Sequence, residues 1–308
     1  YAHCLVTPGG LRIDGGGGND KIEIEFGTPV ALTVTARGGE GDDVIRDFSD
    51  GSNVLDGGPG ADQLTGGPGA DTVLGGEGDD LVVGDSFTGV FPDVVDGGPG
   101  YDRSEMDWTN PTQGSPTPPA TVSLDGIAND GRPGEGDNVT SVERIKVNHA
   151  ATLIAAGDPV DFEIPSNAGA VQAKLVGSPG ADRLKAAHGA DEVDGGAGDD
   201  NIEGGFGDDI VTGGPGKDTI NADSSGGCDF MVCNAQVGND IVYARDGEAD
   251  SIACGPGTDR AIVDAIDTTS NCETVDVGTA SGGGTPPGGG VGGTPPGSDG
   301  PAPGSAPC

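Results

Sequence analysis

Residues 195–221 read GGAGDDNIE, GGFGDDIVT and GGPGKDTIN, one nine-residue unit repeated three times without a gap. Its rule is Gly, Gly, any, Gly, any, Asp, any, apolar, any. Six positions suit a turn and only the last three suit a strand, so each unit reads as a tight loop carrying one acidic side chain, followed by a very short β-strand. Two units make one coil. The inward apolar residues are then Ile202, Val211 and Ile220.

One apolar side chain per nine ordered residues is a thin core, because the conformational entropy of ordering a backbone outweighs so little burial. The repeat also brings Asp200, Asp209 and Asp218 to one position of the unit. Carboxylates on loops two units apart would stack at about the 5 Å spacing of neighbouring strands and repel. A hard divalent cation between stacked loops removes the repulsion and takes turn carbonyls as further ligands. Calcium therefore becomes part of the fold, several ions in all.

The motif resembles the glycine- and aspartate-rich nonapeptide of the RTX (hemolysin-type) calcium-binding family. The resemblance implies an all-β chain, a right-handed parallel β-roll (a β-solenoid) of stacked nonapeptide coils. It further implies that each calcium lies between one loop and the loop two units later, held by carbonyls and one Asp from each. On this chain such a site uses Gly195, Ala197 and Asp200 with Gly213, Gly214, Pro215, Gly216 and Asp218. By the same reading the ligand loops are Gly57, Gly58, Pro59 and Gly60 with Asp62, then Gly66, Gly67 and Gly69 with Asp71, then Gly75, Gly76, Glu77 and Gly78 with Asp80. In the second array they are Gly195, Gly196, Ala197 and Gly198 with Asp200, then Gly204, Gly205, Phe206 and Gly207 with Asp209, then the Gly213–Asp218 loop. Asp20, Asp43, Asp102, Asp182 and Asp191 occupy the acidic position of less regular units.

Composition agrees. Acidic residues number 51 against 14 basic, a formal net charge of -37, and 39 of the acids are the short Asp that fits a turn. Such a charge argues against nucleic acid as a partner and against anionic membranes, and attracts cations. No apolar run approaches the roughly 20 residues of a membrane span. The first residue is Tyr1 with no charged-then-apolar leader before it, which reads as a processed or trimmed product.

In chain order, four regions are expected. Residues 1–105 form an N-terminal array, opening with GGGGNDKIE at 15–23. The array then runs through GGEGDDVIR at 38 and, after a one-residue slip at Asp47, keeps phase from 48 to 83; Asn53 puts an amide at the acidic position. The loop at 84–96 is enlarged and carries Phe87 and Phe91, a contact surface or a cap folded back on the roll. Residues 106–176 are degenerate coils, in which TVSLDG, VERIKV, ATLIAA, DFEI and VQAKLV read as strands without metal. They enclose an acidic loop with Asp125, Asp130, Glu135 and Asp137, either one more calcium site or an ordered acidic turn. Trp108 reads as a packing plug. Residues 177–277 hold five units in phase followed by a changed repeat with Asp240, Asp250 and Asp259. Here Ala186 and Ala187 stand at positions expected to need positive φ, and His188 is expected to face solvent. Residues 278–308, rich in GTPPGGG and PPGSDG, form a disordered C-terminal tail.

Cys228, Cys233, Cys254 and Cys272 suggest two disulfides, paired 254 with 272 and 228 with 233; a zinc site competes, against common zinc spacing. Cys4 and Cys308 have no assigned role. Such a chain is expected to be secreted, to the exterior or the cell surface of a bacterium. It lacks H-E-x-x-H and G-x-S-x-G, and its 14 basic residues give little material for a catalytic groove, so no catalytic residues are assigned. Two functions remain in view: a calcium-built structural or interaction module, and an adhesin or matrix component with an extracellular glycan or protein partner. A polysaccharide-active enzyme stands behind both.

Overall fold

The computed structural model describes residues 3–7, 10–25, 33–84, 91–106, 120–148, 151–165, 172–223 and 238–278. The readings of Phe87, Trp108, the Cys228–Cys233 pair, Cys308 and the tail beyond 278 lie outside them. Among the described residues every regular element is a strand, and none is a helix able to cross a membrane.

The strands form a parallel β-solenoid. One face is a single sheet of 12 strands running from Lys21–Ile24 at one end to Thr268–Ser270 at the other. The opposite face is two sheets, 7 and 8 strands wide. The registers confirm two nonapeptides per coil, since Ile202 lies against Ile220 and Val193 against Val211, each 18 residues on. Each strand of the arrays sends one residue inward. Ile202, Val211 and Ile220 are buried, as are Leu55, Leu64, Val73 and Val82 in the first array. The core is therefore a single file of aliphatic side chains on each sheet.

Between the arrays the file thickens. Ile145 with Val147, Phe162 with Ile164, and Ala173 with Leu175 each put two apolar residues inside where the repeat puts one, and Val142 and Val160 take places near the loops. The strands expected here are found, at Ala120–Val122, Arg144–Val147, Ala151–Ile154, Asp161–Glu163 and Lys174–Val176. Arg144 lies over Asp161 and Glu163, and Lys174 over Glu192, so the outward charges of this stretch are paired across strands. The split of the opposite face arises because Ala120–Val122 pairs forward with Ala151–Ile154, whereas the later strand Asn138–Thr140 returns to pair with Val94–Asp96.

The acidic loop that joins these two strands is an ordered turn. Asp130 accepts the Ser123 N–H at 2.7 Å on one oxygen and the Val139 N–H at 2.9 Å on the other. Glu135 is held by the guanidinium of Arg132.

The two ends differ. His3–Thr7 pairs antiparallel with Gly10–Gly17 and covers one edge of the first coil. At the other end Val275 and Val277, in register with buried Ala261 and Val263, are exposed. A disulfide joins Cys254 to Cys272, with Cα atoms 5.1 Å apart, and ties the last coil to its neighbour; these two thiols are thus not zinc ligands.

Candidate metal centres

The glycines of the unit are required for two separate reasons. Positions two and four lie at positive φ, as at Gly58 (108°) and Gly60 (150°) or Gly214 (105°) and Gly216 (148°), where L residues are strained. Position one has ordinary φ but no room. A Cβ on Gly57 would come closer than 3.0 Å to both Asp62 Oδ2 and the Gly75 carbonyl oxygen, and one on Gly195 would meet Asp200 Oδ2 and the Gly213 carbonyl in the same way. The missing methyl leaves a small space on which a carboxylate oxygen of one loop and a carbonyl oxygen of the next coil converge. Neighbouring loops are also tied directly, because the position-four N–H donates to the position-three carbonyl one coil on, Gly60 to Glu77 at 2.8 Å and Gly198 to Pro215 at 2.7 Å.

The acidic residues form two ladders, one on each edge of the roll. In each, Oδ1 accepts the backbone N–H of the acidic residue one coil earlier. On one edge the Asp62 N–H donates to Asp80 at 2.7 Å, that of Asp182 to Asp200 at 2.8 Å and that of Asp200 to Asp218 at 3.0 Å. On the other the Asp191 N–H donates to Asp209 and that of Asp209 to Asp240, both at 2.9 Å. Asp20 and Asp43 begin the first ladder, the Asp20 N–H donating to Asp43 at 2.7 Å, and Asp102 continues it.

The second oxygen is different. Oδ2 of Asp43, Asp62, Asp80, Asp102, Asp191, Asp200, Asp209 and Asp218 is buried with no hydrogen-bond partner. An ionised carboxylate in that state is costly. Burial pushes the acids up against the opposing pull of the ladder N–H bonds: Asp209 to about 8, Asp200 to about 7, and Asp62, Asp102, Asp191 and Asp218 to about 6. Coulombic repulsion from the next acid in the ladder adds to it, as Asp80 and Asp43 do at Asp62. A row of buried, unsatisfied carboxylate oxygens beside inward carbonyls is the donor set of a hard, oxygen-seeking cation. No three His, Cys, Asp or Glu side chains close into a cage among the described residues, so carboxylates enter in ones and twos and backbone oxygens complete the set. Calcium fits these residues.

Two of the expected loops stand apart. In Gly66–Asp71 and in Gly177–Asp182 no residue has positive φ. The position-two N–H instead turns inward to the acid, Gly67 donating to Asp71 Oδ2 at 2.8 Å and Ser178 to Asp182 Oδ2. Both oxygens of Asp71 are engaged, the other accepting from Asn53 N–H. Ala187 also avoids positive φ, and in its loop only Gly189 adopts it, so the strain expected at Ala186 and Ala187 is absent because the loop changes conformation instead. His188 is half-buried and leans on Phe206 of the next coil, ring centroids 5.0 Å apart.

Sequence reasoning missed Asp223, buried two residues after the last full unit, and the ligand-like environment of Asp240, Asp250 and Asp259, whose Oδ2 atoms are buried and unpartnered in the same manner. The signal for these three was the acid-then-apolar rhythm persisting without the full glycine frame. The signal for Asp223 was an acid at position two, a place the arrays give to glycine.

A family model, the RTX calcium-binding nonapeptide repeat, matches four stretches of the chain, residues 12–25, 49–82, 174–202 and 194–225. No curated protein matches the chain.

Proposed function

We propose that this chain, which carries RTX calcium-binding nonapeptide repeats along a parallel β-solenoid, is a secreted bacterial module whose arrays become rigid only where calcium is plentiful. The observation that carries the reading is the row of buried Oδ2 oxygens without partners at Asp43, Asp62, Asp80, Asp102, Asp200, Asp209 and Asp218, each beside a glycine whose missing Cβ leaves space for an ion.

The residues that would hold calcium are Asp62 and Asp80, Asp200 and Asp218, and Asp191 and Asp209, with the turn carbonyls of the intervening glycine loops; Asp43 and Asp102 extend the same ladder. Asp71 and Asp182 join them only when the N–H of Gly67 or Ser178 is displaced from the carboxylate. When bound, the ion supplies positive charge that the buried carboxylates otherwise lack. The chain's own part is to bring the oxygens together: strands fix the 18-residue spacing, the ladder N–H bonds orient each carboxylate, and glycines clear the space. Because calcium binds the folded coils and not the extended chain, it stabilises them by mass action. Order then follows the calcium concentration outside the cell. A disulfide at the C-terminal end suits the same oxidising surroundings.

The role of the rigid rod is structural or adhesive, with a glycan or protein as partner. Phe91 and Tyr101, each 51% exposed, favour a contact surface beside the enlarged loop over a cap. No catalytic residue is assigned.

The test is far-UV circular dichroism of the oxidised chain, titrated with calcium from a chelated start. Cooperative gain of β signal between micromolar and millimolar calcium, not reproduced by magnesium, supports the reading. A chelated protein already fully folded, with no change in signal or melting temperature on adding calcium, rejects it.

A further inference from the structure

Four neighbouring strands of the 8-stranded sheet, Glu192–Asp194, Ile210–Thr212, Ile241–Ala244 and Arg260–Asp264, pair in parallel. Val193, Val211, Val242 and Ala261 are buried, so the residues on either side of each face out. Across the strands one outward row is Glu192, Ile210, Ile241 and Arg260, each in register with the next. In the row beside it Tyr243 is in register with Ile262. Four large apolar side chains thus lie together on the outside of the rod. Ile210 is 38% exposed, and Ile241, Tyr243 and Ile262 are half-buried.

The core does not explain this block, because a solenoid strand needs apolar residues only on its inner side. On the opposite face of the same coils the matching outward row is polar, Asn201, Thr219 and Ser251. In the first array Leu74 lies between Asp56 and Asp96. Contiguous outward apolar surface marks a contact site. The charges at its two ends say what fits there. Glu192 closes one end, its side chain 43% exposed and its carboxylate 2.6 Å from Lys174 Nζ. Arg260 closes the other, 52% exposed and 3.2 Å from Asp276. Neither ion pair buries its charge, so each can meet a second partner. The order acid, Ile, Ile, base is complementary to itself when reversed.

We propose that this face docks on the same face of a second copy of the chain, in an isologous dimer whose two-fold axis runs along the strands between Ile210–Thr212 and Ile241–Ala244. About that axis strand order reverses and strand direction is kept. Glu192 then faces the partner's Arg260, Ile210 faces the partner's Ile241, and each contact occurs twice. The two rods lie antiparallel, their sheets about 10 Å apart. An axis across the strands would set Glu192 on the partner's Glu192 and Arg260 on the partner's Arg260, so the charges select the antiparallel arrangement. Overlap stops where the sheet stops, so the six strands from Lys174–Val176 to Thr274–Gly278 meet their counterparts. A contact of that size belongs with reversible, concentration-dependent interfaces. The face is separate from the acidic ladders and needs only that the coils be folded, whichever ion they hold.

The test is sedimentation velocity of the oxidised full chain in calcium, over concentrations from low micromolar upward. The expected result is a reversible shift from monomer to dimer. Ile241→Thr, which keeps a strand-forming residue at an outward position, should raise the midpoint by about tenfold or more, because each dimer loses two buried Ile contacts. Its far-UV circular dichroism and melting temperature in calcium should match wild type. Arg260→Glu should weaken the dimer likewise, and Glu192→Arg combined with Arg260→Glu should restore it, since the exchanged row is again its own complement. A wild-type chain that stays monomeric at the highest concentration overturns the proposal. So does a dimer that Ile241→Thr leaves as tight as before, which would use another surface, and so does a double variant no tighter than Arg260→Glu alone. Should the charge variants not fold, Ile241→Thr decides. A chelated protein that is already folded would reject the calcium reading and leave this result standing, because association is scored on the folded chain.

Discussion

Residues 57–62 and 66–71 are the same hexapeptide, GGPGAD, and they fold differently. In the first, Gly58 and Gly60 have positive φ and Asp62 Oδ2 is left without a partner; in the second no residue has positive φ and Asp71 Oδ2 accepts the Gly67 N–H. The difference comes from the coil underneath. The first loop rests on GGEGDD at 38–43, whose backbone has the matching shape, with Gly39 and Gly41 at positive φ. The second rests on FSDGSN at 48–53, a loop closed by its own side chains: the Asn53 amide donates to the Asp47 carboxylate, to Ser49 Oγ at 2.9 Å and to the Gly51 carbonyl at 3.1 Å. The other such loop, 177–182, likewise sits on a loop without the glycine frame, AAGDPV at 155–160. The same six residues therefore take two conformations, and in each case the loop of the coil underneath has the matching glycine frame or lacks it.

The largest test of that contrast is removal of calcium. Hydrogen exchange in chelator should show amides of the 57–62 and 195–218 loops losing protection while those of 144–147 and 161–163, over the thicker core, keep it; uniform loss along the chain would remove the distinction between the arrays and the middle. Next in size, Phe162→Ala should cost about 3–5 kcal/mol, read by urea titration, and by nearly the same amount with and without calcium. A cost that vanished in calcium would mean that the middle coils also depend on the ion.

The two hexapeptides can then be compared directly. Asp62→Asn should raise the calcium midpoint and leave the chelated protein no less stable, since it removes a buried charge. Asp71→Asn should leave the midpoint in place and cost about 1–3 kcal/mol in both states, the penalty for disturbing a buried hydrogen bond. Equal behaviour of the two variants would show that the loops interconvert freely in solution.

The last expected effect is on pH. The carboxylates of Asp200, Asp209 and Asp240 are raised by burial to about 7, 8 and 7 in the folded chain, against an unfolded value of about 3.9. Between those values the folded state binds more protons than the unfolded one, so the chelated protein should lose stability as pH rises from about 4 to about 8. With calcium the slope should reverse, because ion and proton compete for the same oxygens. Thermal melts across pH, with and without chelator, read both slopes.

Much of this was legible in the sequence, for a simple reason. A nine-residue rhythm with one apolar residue fixes the strands, the 18-residue register and the buried file of Leu55, Leu64, Val73, Val82, Ile202, Val211 and Ile220. The strands of the middle were legible too, because VERIKV and DFEI alternate like half-buried sheet. The split of one face was not, since no local pattern tells Ala120–Val122 to pair forward and Asn138–Thr140 to pair back. Nor was the state of each loop legible, because identical residues at 57–62 and 66–71 take it from a neighbouring coil. The acidic position was found, but its division of labour was hidden: one oxygen serves the backbone of another coil, which only the stacked structure reveals. Asp223 escaped because it breaks the rule by which the others were recognised.

The ladder bonds all run one way. An acidic residue receives the N–H of the coil before it and gives its own N–H to the coil after it, from Asp43 to Asp62 to Asp80 and from Asp191 to Asp209 to Asp240 to Asp259. The rod therefore has a grain, and each coil is finished by its successor. A chain delivered to its surroundings amino end first would always trail a single incomplete coil. Cutting it short from the far end would leave idle one ladder amide on each edge of the new last coil, together with its unpaired strands.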